Sequence, residues 1–167
     1  MPTLPPRADH EGPHTDFTSP SRPPGECNKS RMGPSSELLS HTAEVKLRVR
    51  AGSLGELVAE AGRALGALEL GTAQPGASGA WRELEIRAAD REALLVDWLN
   101  ELIYLAETER WVAVEFEVRS AADTALAIRA RGVAVDEAPA RVKAATFHGL
   151  KVVAVPGGLE AEVVFDV

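Results

Sequence analysis

From residue 44 onward the chain changes its hydrophobic period in a definite order. Val45, Leu47 and Val49 alternate with Glu44, Lys46, Arg48 and Arg50, the period of two that marks a strand with one buried face. Leu57, Val58, Ala61, Leu65 and Leu68 then recur at helical spacing. Ser53 with Glu56 three residues on reads as a capping box at the front of that helix, and Gly71 as its stop. The Gly-, Ala- and Ser-rich stretch 71–79 reads as a loop, after which Leu84, Ile86 and Ala88 alternate with Glu83, Glu85 and Arg87 as a second strand. Asp90 caps a second helix through Leu94, Leu95, Trp98, Leu99, Leu102 and Leu105. Asp97, Asn100, Glu101 and Tyr104 share its opposite stripe, a solvated face, so this is predicted to be the central buried helix.

The remainder reads as β. Val112, Val114, Phe116 and Val118 alternate with charged or small residues, and Leu126, Ile128 and Ala130 follow after a short turn. Val142 to His148 is predicted as another strand, with a bend or bulge at Gly149 and a continuation from Leu150 to Val155. Pro156, Gly157 and Gly158 turn the chain into a last strand that sets Leu159, Ala161, Val163 and Phe165 on one side and Glu160, Glu162 and Asp166 on the other. Helices early and strands late imply an α+β fold, antiparallel sheets forming a sandwich with two helices packed on one face. Pairing the first strand antiparallel to the last would set Glu44 beside Asp166, both on polar faces.

Composition divides the chain. Residues 1–40 hold eight of the eleven prolines and no apolar periodicity, so about the first 37 residues are expected to be a disordered tail and 38–167 the folded domain. The net charge of −7 divides into −1 for residues 1–40 and −6 for 41–167. An acidic domain lacks the electrostatic footprint of an autonomous nucleic-acid binder. Cys27 is the single cysteine, which excludes an internal disulfide or a Cys-based zinc site. No apolar run approaches a signal peptide or the ~20 residues of a membrane span, so a cytoplasmic protein is expected.

Candidate chemistry gathers at the ends of the domain. Asp166 stands next to Val167, whose terminal carboxylate adds a second anionic group, and Glu44 supplies a third. Such an oxygen set suits a hard divalent cation. A lone exposed Glu or a frayed acidic end is the plainer reading of each residue taken singly. His41 and His148 are read as structural or interface residues, since no Ser, Cys or Lys lies in a nucleophile motif. Trp81 and Trp111, at strand starts, are read as core or rim aromatics. Gly157-Gly158 lacks the Lys and Ser/Thr of a phosphate loop, so no GTP binding by this chain alone is expected.

His41-Thr42-Ala43-Glu44 opening a strand, Leu94 to Leu102 running into Glu107-Thr108-Glu109, Lys143-Ala144-Ala145-Thr146-Phe147-His148-Gly149, and the closing Phe165-Asp166-Val167 together resemble the archease family, in order and spacing, along 41–167. The resemblance implies a non-catalytic accessory protein of an RtcB-type RNA ligase, promoting its guanylylation and multiple turnover in tRNA splicing or RNA repair. It implies a divalent ion held by Glu44, Asp166 and Val167, the last through a backbone or terminal oxygen. Ca²⁺ is the first expectation and Mn²⁺, Mg²⁺ or Zn²⁺ the alternatives. RNA would be met only through the ligase. Glu44 departs from the Asp usual in the family and lengthens that arm by one methylene; Glu107 also stands where Asp is common. Two other classes compete: a metal-dependent phosphoester hydrolase using the same carboxylates with His148 as acid or base, and a metal-free, chaperone-like interaction module.

Overall fold

The computed structural model describes residues 31–41, 44–72, 78–137, 139 and 141–167. The expected disordered tail thus lies, for residues 1–30, outside the described residues. In chain order the elements are β1 (Ser35–His41), β2 (Glu44–Ala51), α1 (Leu54–Leu70), β3 (Arg82–Arg87), α2 (Arg91–Glu109), β4 (Trp111–Ala122), β5 (Ala125–Ala134), β6 (Ala144–Thr146), β7 (Val152–Val155) and β8 (Gly158–Asp166). The fold is α+β with two antiparallel sheets.

One sheet has the order β1-β2-β8-β6, with β7 also paired to β8; the other has the order β3-β5-β4. Both helices lie against the inner faces: α1 packs on β2 and β4, and α2 on β4 and β6. One continuous core therefore joins the two sheets through the helices. Trp98 of α2 is its centre, fully buried, edge-on to Phe116 of β4 at 5.5 Å between ring centroids. Its indole N–H donates to the Val58 carbonyl at 3.0 Å, so the one polar atom of that side chain is satisfied in the apolar interior. Helix α1 approaches β4 so closely that a Cβ at Gly66 would stand 2.3 Å from the Ala113 carbonyl oxygen.

The caps follow the sequence. Ser53 Oγ accepts from the Glu56 N–H at 3.3 Å and Gly71, at φ 53°, closes α1 by donating its N–H to Ala67. The reciprocal half of the capping box is replaced: the Glu56 carboxylate pairs with Arg31 at 2.8 Å. Asp90 caps α2 by accepting from the Ala93 N–H at 2.7 Å.

Three sequence expectations are corrected. Ser35–His41, expected to hold no strand and to belong to the tail as far as residue 37, forms β1, so His41 ends one strand and Glu44 begins the next; the motif joins two strands rather than opening one. Sparse apolar content hid β1, an edge strand held by β2 in which Leu38 is exposed and Leu39 half-buried. Val142–His148 shrinks to the three residues of β6 and Leu150–Val155 to β7, because the chain turns between them, with the Leu150 N–H donating to Phe147 at 3.1 Å and Gly149 at φ 67°. Asn100 is not merely part of a wet stripe: its side-chain amide donates to the Ala145 carbonyl at 3.2 Å and its carbonyl accepts from the Ala145 N–H at 2.8 Å.

Candidate metal centre

Strands β2 and β8 are antiparallel neighbours in the register Glu44↔Asp166, Val45↔Phe165, Lys46↔Val164, Leu47↔Val163 and Arg48↔Glu162. Leu47, Val49, Val163 and Phe165 are buried in the core, so alternation sends Glu44, Lys46, Arg48 and Arg50 to the outer face together with Glu160, Glu162 and Asp166. The expected meeting of the domain's first and last segments is therefore what the register contains. Side chains directly opposite on one face have Cβ atoms roughly 5 Å apart, within reach of a shared cation. Both Glu44 and Asp166 are exposed.

The electrostatics of this face are uneven. Glu162 is held by Arg48 at 3.1 Å and Lys46 at 3.5 Å, Glu160 by Arg50, and Glu37 by Arg48 at 3.8 Å. Each of those rungs is neutralised across the strands. The last rung sets two carboxylates directly opposite, and among the described residues neither has a cationic partner. Like charges so placed repel, and the exposure of both leaves water to screen them. Lys143 borders the site: its backbone N–H donates to the Asp166 carbonyl at 2.8 Å and its ammonium to Val167 O at 3.2 Å. Sequence reasoning gave Lys143 no role; its signal was only its place in the Lys143–Gly149 motif.

The donor set fits a hard ion by chemistry, being all oxygen, and is sparse by number. Among the described residues no three His, Cys, Asp or Glu side chains gather to hold a metal, so two carboxylates and Val167 oxygen would need water or partner atoms to complete the ~6 to 8 oxygens of Ca²⁺. The His41 side chain and residues 42–43 lie outside the described residues. His148 is exposed on the β6–β7 turn. Trp111 is buried, with the Arg82 guanidinium 4.3 Å from its ring centroid, while Trp81 lies under Arg129 and Arg131 at 4.8 and 5.0 Å. Both are occupied rather than presented to bases. A cleft of about 320 Å³ lies elsewhere, between the start of α1 and β4, lined by Glu56, Arg63, Phe116 and Val118 among others; it contains neither Glu44, Asp166 nor His148.

One further ionisable group stands apart. Glu69 near the end of α1 is buried, and among the described residues neither of its carboxylate oxygens has a hydrogen-bond partner. Burial pushes its pKa up to about 7, Arg141 opposing and Glu107 adding to the shift.

Residues 37–167 match the model of the family described as Archease protein family (MTH1598/TM1083). The chain belongs to the archease family. It is 30% identical to protein archease of Methanosarcina barkeri over 146 residues, spanning 83% of this chain and 99% of the relative. It is 34% identical to that of Methanopyrus kandleri over 140 residues, 78% of this chain and 97% of the relative. The solution structure of Methanobacterium thermoautotrophicum protein 1598 superposes with a TM-score of 0.61 at 26% identity, covering 79% of this chain and 98% of that one. The Thermotoga maritima crystal structure described as an archease, possible chaperone, shares the fold with a TM-score of 0.57 at 24% identity, covering 77% of this chain and 94% of that one. Among the described residues of this archease-family chain, no helix is long and apolar enough to cross a membrane.

Proposed function

We propose that this chain is a metal-binding accessory protein of an RtcB-type RNA ligase, promoting guanylylation and repeated turnover of that enzyme in tRNA splicing or RNA repair, and has no catalytic activity of its own. The observation that carries the reading is the rung Glu44↔Asp166, which among the described residues has no cationic partner, at the end of an otherwise ion-paired ladder. Glu44 and Asp166 would hold a divalent ion by side-chain oxygen and Val167 by backbone or terminal oxygen, with Ca²⁺ suited best because it tolerates variable carboxylate reach. When bound, the ion supplies localised positive charge with coordination positions left for a partner's oxygens. Lys143 fixes the β8 end by its two hydrogen bonds to Asp166 and Val167, so the carboxylates are presented on a paired strand rather than a frayed one. The partner would bring the nucleotide and the RNA; the family membership and the neutralised sheet faces support an indirect role near RNA.

The test joins two measurements. Calorimetry with Ca²⁺, Mn²⁺ and Zn²⁺ is expected to show saturable binding that Glu44→Ala or Asp166→Ala abolishes. The same variants, folded as judged by circular dichroism, are expected to lose stimulation of the ligase's guanylylation. Full stimulation by folded variants would overturn the mechanism. Silence toward all three ions would support the metal-free interaction module instead, and chelator-sensitive phosphoester turnover by the pure protein the hydrolase.

A further inference from the structure

Three of the five large hydrophobic side chains exposed among the described residues lie around β6: Tyr104 and Phe147, each 57% exposed, and Val167, 40% exposed. A rigid frame sets them there. Asn100 ties α2 to Ala145 by two hydrogen bonds, and Glu92 accepts from the Val152 N–H at 3.0 Å, so α2 pins both sides of the turn that carries Phe147. Tyr104 stands one helical turn past Asn100, about 6 Å along α2. Phe147 stands two residues past Ala145, just beyond the end of β6 and at most roughly 7 Å from it, and Val167 is tied to Lys143 at the other end of β6. Because α2 runs from Glu92 beside Val152 to Asn100 beside Ala145, Tyr104 lies toward the Lys143 and Val167 end of β6 and Phe147 toward the β7 end, a spread of roughly 13 Å along β6 that one side of a standard protein interface, roughly 800 Å², spans.

The charge around this patch differs from that of the sheet faces. On the outer faces Glu83, Glu115, Glu117, Glu160 and Glu162 are paired with arginines. On the α2 stripe Asp97 and Glu101 precede Tyr104, and among the described residues neither has a cationic partner; Asp166 on the adjoining edge is in the same condition. Lys143 and Lys151 are exposed on either side of Phe147, so the carboxylates lie on the α2 side of the patch, and exposed aromatics beside them fit a protein surface with an apolar recess rimmed on that side by Arg and Lys.

We propose that Tyr104 and Phe147, flanked by Asp97 and Glu101, form the docking surface for a basic, apolar-centred patch of the partner protein, continuous with the Glu44–Asp166 end. This rests on the accessory reading above and adds the residues that hold the partner. Exposed aromatic anchors in a pinned frame lose little entropy on binding and are frequent centres of interface energy.

The experiment measures binding of the purified RtcB-type ligase from the same organism to the full-length chain by interferometry at two salt concentrations. Tyr104→Ser with Phe147→Ser is expected to weaken binding more than tenfold, and Asp97→Lys with Glu101→Lys to weaken it and abolish its salt dependence. Leu38→Ser, at an exposed hydrophobic position on β1, the edge of the sheet opposite β6, is expected to leave it unchanged. These sites are on the surface, so the variants should melt within a few degrees of wild type. Wild-type binding that neither pair of α2–β6 substitutions disturbs would overturn this surface and leave the accessory reading standing. No binding by the wild-type chain would overturn both.

Discussion

Glu44 shows how a single residue carries both promise and strain at this site. Its arm is one methylene longer than that of Asp, on a strand whose register fixes its Cα opposite Asp166. Glu44→Asp should preserve oxygen ligation and change cation affinity by less than about tenfold, whereas Glu44→Ala should remove measurable binding; calorimetry distinguishes them. Glu69 is a residue-scale pH probe. Its folded-state pKa of about 7 lies above the 4.5 of the free side chain, so the fold binds that proton more tightly than the unfolded chain. The stabilising contribution is complete below about pH 4.5, declines as pH rises, and is lost above about 7. Glu69→Gln should therefore leave the melting temperature near wild type at pH 4.5 and raise it at pH 8, by a free energy on the order of 1 to 3 kcal/mol. Thermal melts at the two pH values check the sign.

Between elements, polar clamps and close approaches matter more than propensity. β6 has three residues and pairs only with the end of β8, too little to hold an edge strand alone. Asn100 supplies what is missing. Asn100→Ala should cost about 1–3 kcal/mol by leaving the part-buried Ala145 amide and carbonyl unpaired, and should speed hydrogen exchange at Ala145 more than at Val163. At the α1–β4 contact, Gly66→Ala would drive a methyl into the Ala113 carbonyl; the helix must shift, at a cost of about 1–3 kcal/mol in denaturant unfolding. The Pro156-Gly157 turn illustrates the opposite case, in which local chemistry suffices: proline fixes φ at one corner and Gly157 takes φ 86° at the next.

At the scale of the whole molecule, the proposed ion site would couple binding to folding, because Glu44 opens β2 and Asp166 closes β8. An ion bound there ties the two strands only in the folded state. Saturating Ca²⁺ at a hundred times its dissociation constant should thus stabilise the protein by about 2.7 kcal/mol, and Asp166→Ala should abolish the shift in melting temperature. The same global view accounts for the expected indifference to RNA. The domain is acidic, and Arg48, Arg50, Arg129 and Arg131 face carboxylates across the strands, leaving few cations to release counterions from a phosphate backbone.

The two helices, their caps, the late strands and the inward set Leu47, Val49, Val163 and Phe165 were legible in the sequence, because a buried face imposes a period of 3.6 or 2 and caps use a small set of residues. Glu44 and Asp166 could be placed on polar faces by the same alternation. Three things needed the tertiary structure. β1 is a strand because β2 offers it an edge, Asn100 is a clamp because β6 passes beside α2, and Glu69 is buried where the fold brings Arg141 and Glu107 near the end of α1. Periodicity reports which side of one element meets the interior; it carries no record of which other element arrives there, and partners distant in sequence are decided only by packing.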